Sequence, residues 1–131
     1  MRYNPHKKTK IMKAIHKHLL LMSSFLTLSA GAQAQIIYKA PVRSDGEVRV
    51  FETKYKSEAD LIVFKTDNIG EARVSGNGGV WYFTDIRSNA DKRVFFSSTR
   101  GDADFVIFYT PFRSEAGWRN QQKKQLMEKK R

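Results

Sequence analysis

Apolar and polar positions along residues 36–110 fall into short blocks that recur about every thirteen residues. The blocks are Ile36-Ile37-Tyr38-Lys39, Arg49-Val50-Phe51-Glu52, Ile62-Val63-Phe64-Lys65, Val80-Trp81-Tyr82-Phe83, Arg93-Val94-Phe95-Phe96 and Val106-Ile107-Phe108-Tyr109. Their β-branched and aromatic content and regular spacing predict six short strands. A pair of helices does not fit in thirteen residues, so the predicted fold class is all-β. Read in register, an aromatic position holds Tyr38, Phe51, Phe64, Tyr82, Phe95 and Phe108. Two residues later comes a hydroxyl in five copies (Thr53, Thr66, Thr84, Ser97, Thr110) and Ala40 in the first. A small residue closes each unit: Gly46, Ala59, Ala72, Ala90, Ala103 or Ala116.

Side chains alternate along a strand, so each aromatic shares a face with the following Thr. Six such aromatics are expected to form the core, at roughly 1.5–3 kcal/mol each when buried. The Thr hydroxyl is expected to bond nearby backbone. The opposite face differs between halves: Lys39, Glu52 and Lys65 in the first three copies, Phe83, Phe96 and Tyr109 in the last three. The first half therefore reads as solvated there, the second as covered or sticky. Between strands, Ser57-Glu58-Ala59-Asp60, Ser88-Asn89-Ala90-Asp91 and Gly101-Asp102-Ala103-Asp104 predict a capped single helical turn. The spacing breaks once, between Ala72 and Ala90, where residues 73–79 read as a flexible excursion.

The run from Trp81 to Asp91, with Phe51-x-Thr53…Ser57-Glu58-Ala59-Asp60 and Phe108-x-Thr110…Arg113-Ser114-Glu115-Ala116, resembles the periplasmic septoil-knot family over residues 36–118. The resemblance implies six strand-turn repeats forming a compact all-β ring, deeply knotted as a seven-crossing torus knot. It implies no activity.

Residues 1–34 read as a secretory signal peptide. A basic stretch (Lys7, Lys8, Lys10, Lys13, Lys17) precedes an apolar run from Leu19 to Leu28, and Ala32-Gln33-Ala34 precedes Gln35. The run falls short of the roughly 20 residues a spanning helix needs. The expected location is the periplasm or the exterior, after cleavage between Ala34 and Gln35, with Met1 or Met12 as the start. Without these residues, 18 Lys and Arg face 13 acidic residues, a net charge of +5. Residues 119–131 carry six of those cations against Glu128, so residues 35–118 are neutral. The high pI therefore marks no basic binding face, and nucleic acid is not an expected partner.

The three histidines all lie before Gln35 and the chain has no cysteine. Disulfides, Ser-His-Asp or Cys-His catalysis and the usual zinc or haem ligation are thereby excluded downstream. Carboxylate pairs for glycan hydrolysis are Asp85 with Asp91, Asp102 with Asp104, and Glu58 with Asp60. All but Asp85 occupy recurring turn positions, which favours a structural role. The expected function is a non-catalytic structural or binding module, with a carboxylate-dependent hydrolase of envelope glycans as the alternative. No catalytic residue, cofactor or metal is assigned, and a monomer or weak homo-oligomer is expected. Candidate contacts are Asn77 and Trp81 at the excursion, the aromatics Phe83, Phe96 and Tyr109, and the tail residues Lys123 and Lys124, which suit an anionic envelope surface.

Overall fold

The computed structural model describes residues 35–128. The signal segment and its cleavage point lie outside the described residues. Six strands form where the pattern places them: β1 (Ile36–Lys39), β2 (Val48–Glu52), β3 (Leu61–Lys65), β4 (Val80–Thr84), β5 (Lys92–Phe96) and β6 (Phe105–Thr110). All six run parallel in the order β4-β1-β5-β2-β6-β3, and β3 pairs back onto β4. The sheet is thus a closed ring, in accord with the expected all-β repeat ring.

Parallel strands normally need a connection of a dozen or more residues. Here eight suffice between β1 and β2, residues 40–47. Register explains the economy. Every strand is displaced from its neighbour by two residues in the same sense, so six steps give a shear of twelve. Such a shear tilts the strands steeply. It brings the end of one strand level with the start of the next but one. Val94 pairs with Lys39 on one side and Val48 on the other. Ile107 likewise stands between Glu52 and Leu61. Each connector between repeats, save that from β3 to β4, therefore has only to step over a single strand.

That step decides which face is inside. Ile37, Val50, Val63, Trp81, Val94 and Ile107, the residues just before the aromatics, are all fully enclosed in the barrel. Below them, where the strands begin, lie Val48, Leu61 and Phe105 with Gln35 and Lys92. The expectation of an aromatic core is corrected. Tyr38, Phe51, Phe64, Tyr82, Phe95 and Phe108 are half-buried on the opposite, outer face. Connectors pass over this wall: the turns at Arg43–Asp45, Arg87–Asn89, Arg100–Asp102 and Arg113–Glu115 pack on β5, β1, β2 and β3. Closeness of approach explains the small residue. A Cβ on Gly46 would sit 2.6 Å from the Phe95 Cβ.

The turn chemistry follows the sequence. Thr53, Thr66, Thr84, Ser97 and Thr110 each accept a hydrogen bond from the N–H two residues on, at 3.0–3.2 Å. Thr53, Thr66 and Thr110 also donate to Glu58, Glu71 and Glu115. Asp60, Asp91 and Asp104 accept the N–H of Val106, Ile36 and Arg49 on the adjoining strand. Outside the wall runs a belt of ion pairs in strand order: Arg87–Asp45, Arg43–Asp102, Arg100–Glu58, Lys56–Glu115 and Arg113–Glu71. At the sixth seam, β3 to β4, Ile69 and Asn89 occupy the equivalent repeat positions, so cation and anion are both missing.

Two of these carboxylates titrate low. The hydrogen bond from Arg87 holds Asp45 below the usual range, and those from the Thr110 hydroxyl and then Lys56 do the same for Glu115. A depressed folded-state pKa stabilises above the ordinary carboxylate value and is lost as pH falls through the folded one. Thr110→Val is therefore expected to shrink the acid-sensitive part of stability. It also leaves the Phe112 N–H without its hydroxyl, for about 1 kcal/mol. Urea titrations at neutral and acid pH would measure both, and equal midpoints for variant and parent at each pH would count against this reading.

The excursion is corrected too. β3 to β4 is the one connection between adjacent strands, so no strand is crossed, and the chain forms helix α1 (Ile69–Ser75) instead. Asn68 caps it by accepting the Gly70 N–H, and Ala72 is fully buried. Gly79 has φ +84°, and a Cβ there would meet the Ile62 oxygen at 2.5 Å, so glycine is required. A two-residue strand, β7 (Gly117–Trp118), pairs antiparallel with the start of β3. The tail is no loose terminus through residue 128. Its 3₁₀ helix Gln121–Met127 places Met127 in the core at 2% exposure.

Candidate functional site

The residue after each aromatic points inward at the end where the strands finish. In strand order around the barrel these residues are Phe83, Lys39, Phe96, Glu52, Tyr109 and Lys65. The two halves of the sequence interleave, so three charged and three aromatic side chains segregated along the chain alternate around one mouth. Phe83, Phe96 and Tyr109 are half-buried and pack on the core, while Lys39, Glu52 and Lys65 are exposed. Lys39 Nζ lies 4.8 Å from the Phe96 ring centre, and Lys65 Nζ lies 5.2 Å from that of Phe83. Phe83 and Phe96 rings meet at 6.4 Å. Among the described residues Lys39, Glu52 and Lys65 form no ion pair, in contrast to the belt outside.

A cavity of about 450 Å³ opens here, lined by Lys39, Glu52, Lys65, Phe96 and Tyr109, with Phe64 and the Thr110-Pro111 segment at its edge. Burial first, and then the Glu52 charge, push the Tyr109 phenol well above its ordinary pKa. Tyr109 therefore stays a neutral donor and acceptor over the whole physiological range. The site offers two ammonium groups, one carboxylate, a phenol and aromatic surface.

The expected contacts distribute unequally over this geometry. Phe83, Phe96 and Tyr109 meet at the mouth. Trp81 does not: it is fully enclosed one layer below, edge-on to Phe83 at 6.1 Å, so its expected surface role is corrected. Asn77 accepts from Trp118 Nε1 at 3.0 Å and donates to the Lys124 carbonyl at 2.9 Å, tying loop, β7 and tail together. Lys123 is taken by Asp60 at 3.2 Å, and Lys124 is exposed beside it. Sequence reasoning missed Lys39, Glu52 and Lys65. Their signal was their place directly after the aromatic in copies one to three. The paired carboxylates are dispersed into the architecture: Glu58 and Asp102 meet arginines, and Asp60, Asp91 and Asp104 meet backbone N–H groups. Among the described residues no three His, Asp or Glu side chains come together to hold a metal ion, and no helix is long and apolar enough to cross a membrane.

Against known protein families, the model of the 7(1) septoil knot domain matches residues 34–119. The chain belongs to that family. No curated protein and no solved structure matches it. The septoil knot domain ends at the boundary where the tail helix begins, and the mouth lies wholly within it.

Proposed function

We propose that this septoil knot domain is a non-catalytic binding module that works outside the cytoplasm and takes a small ligand at the mouth of its barrel. One observation carries the reading. The belt charges are paired with one another, whereas Lys39, Glu52 and Lys65 stand unpaired between aromatic rings at an open cavity. The cation–π contacts of Lys39 and Lys65 are worth only about 0.5–1 kcal/mol each at an exposed site, and charges without an ionic partner at an open cavity are free to meet a ligand. The engagement of Glu58, Asp60, Asp91, Asp102 and Asp104 by turns and strands favours binding over glycan hydrolysis. An extracytoplasmic site of action is supported by the basic and apolar stretches before Ala32-Gln33-Ala34.

Amide chemical shifts of the protein from Gln35 to Arg131, followed during titration with short peptides, aromatic acids and amino sugars, test this. Perturbations are expected at Lys39, Glu52, Lys65, Phe83, Phe96 and Tyr109. Perturbations confined to other surfaces, or none at all across the panel, would overturn it.

A further inference from the structure

The order of side chains around the mouth gives it a direction. Phe83 stands between the two lysines, because β1 and β3 flank β4. Glu52 stands opposite, between Phe96 and Tyr109, because β5 and β6 flank β2. One side of the opening is therefore an apolar ring bracketed by two ammonium groups, a seat for a carboxylate. The other is a carboxylate between Phe96 and Tyr109; Lys39 already lies over Phe96, so Glu52 and the Tyr109 ring form the seat for an ammonium group, since a ring face and a carboxylate attract the same cation. The cavity at this opening is lined by both lysines, Glu52, Phe96 and Tyr109, with Phe64, Thr110 and Pro111 at its edge. A cavity of about 450 Å³ falls within the range of roughly 300–1,000 Å³ for small-molecule sites.

We infer that the mouth binds a small zwitterion with an apolar body, namely a short free peptide read by its two termini. Its carboxylate meets Lys39 and Lys65, its ammonium group meets Glu52, and its side chains cover Phe96 and Pro111. The Tyr109 hydroxyl, beside Glu52 and Lys65 in the ring, is placed to donate to or accept from the peptide unit. A wholly anionic ligand would leave Glu52 facing like charge, and a wholly cationic one would face both lysines. The combination of two opposite charges is what the alternation selects. This inference rests on the binding reading above and specifies its ligand.

The test uses leucyl-leucine, its N-acetyl form and its C-terminal amide, titrated by calorimetry and by amide shifts. Free leucyl-leucine is expected to bind at the mouth, and either cap to weaken it at least tenfold. Glu52→Gln is expected to weaken the free peptide and the amide and to tighten the N-acetyl form, which no longer faces a like charge. Lys39→Gln with Lys65→Gln is expected to weaken the free peptide and the N-acetyl form and to tighten the amide, which no longer faces like charge. Each variant carries its fold check in an unchanged amide spectrum away from the mouth. If capped and free peptides bind the mouth equally, the termini are not read and this inference fails while the binding reading stands. If none of the three perturbs the mouth but an aromatic acid or amino sugar does, the peptide assignment fails alone. If nothing in either panel perturbs the mouth, both fail.

Discussion

Truncation after Trp118 is expected to lower the unfolding free energy by about 3–5 kcal/mol, the scale of emptying a core site. The tail looks dispensable by composition, with Lys123, Lys124 and a cluster of glutamines. Its packing says otherwise. Met127, at 2% exposure, closes the end of the barrel where the strands begin. Lys92, itself only 5% exposed, donates to the Glu128 carbonyl at 2.9 Å, with the Glu47 carboxylate 3.9 Å away. Removing the tail takes away that acceptor and opens the lower layer, Val48, Leu61 and Phe105, to water. Asp60 loses Asn120 and Lys123 as partners, and Asn77 loses the Lys124 carbonyl. Charge is the lesser contributor, because partly exposed pairs are worth about 0–1 kcal/mol. Lys123→Gln with Lys124→Gln is therefore expected to change stability by less than about 1 kcal/mol, while Met127→Ala alone costs about 2–4. Urea unfolding of the three variants separates these contributions. A truncated protein with the parent's midpoint would show that the tail does not close the barrel.

Much of this architecture is legible in the repeat, and the part that is not has a common cause. Strands, turns and caps are local: a Thr bonding the N–H two residues on, or a small residue at a fixed offset, can be read from one copy. The inner face cannot. Ile37, Val50 and Ile107 on one face and Tyr38, Phe51 and Phe108 on the other are all apolar, and alternation gives no preference between them. What decides is the connector lying on the outer aromatic, seen at Gly46 against Phe95, and that follows from a shear no single repeat encodes. The mouth was hidden for the same reason. Strands from the two halves interleave, which turns a block of three charges and a block of three aromatics into alternation. The belt was more visible than it was read: a basic residue and an acid two positions later recur in the turns, and the copies that lack them, at Ile69 and Asn89, meet at one seam. Met127 offered too little signal, as one of only two apolar residues, Leu126 and Met127, after a polar run.

The inner ring gives the second large effect. Trp81→Ala is expected to cost about 3–5 kcal/mol, whereas Phe51→Ala, half-buried on the outer wall, costs about 1–2. Trp81 is the one large side chain in a ring otherwise built of Ile37, Val50, Val63, Val94 and Ile107, every one fully enclosed. Five aliphatic residues on a closed, hydrogen-bonded wall cannot collapse into the space an indole leaves, so the cavity remains and the full cost is felt. The indole N–H has no hydrogen-bond partner among the described residues, which makes size rather than polarity the contribution of this side chain. Trp81→Phe therefore tests the cause: it removes the orphaned N–H, keeps most of the volume, and is expected to cost less than half of Trp81→Ala. The ligand site is linked to the same residue, since Phe83 leans edge-on against Trp81 at 6.1 Å and carries Lys65 over its face. Trp81→Ala is thus expected to weaken binding at the mouth as well as stability, and Trp81→Phe to preserve it. Equal losses of stability for Trp81→Ala and Phe51→Ala would return the aromatic face to the interior and refute the layer order on which the mouth depends.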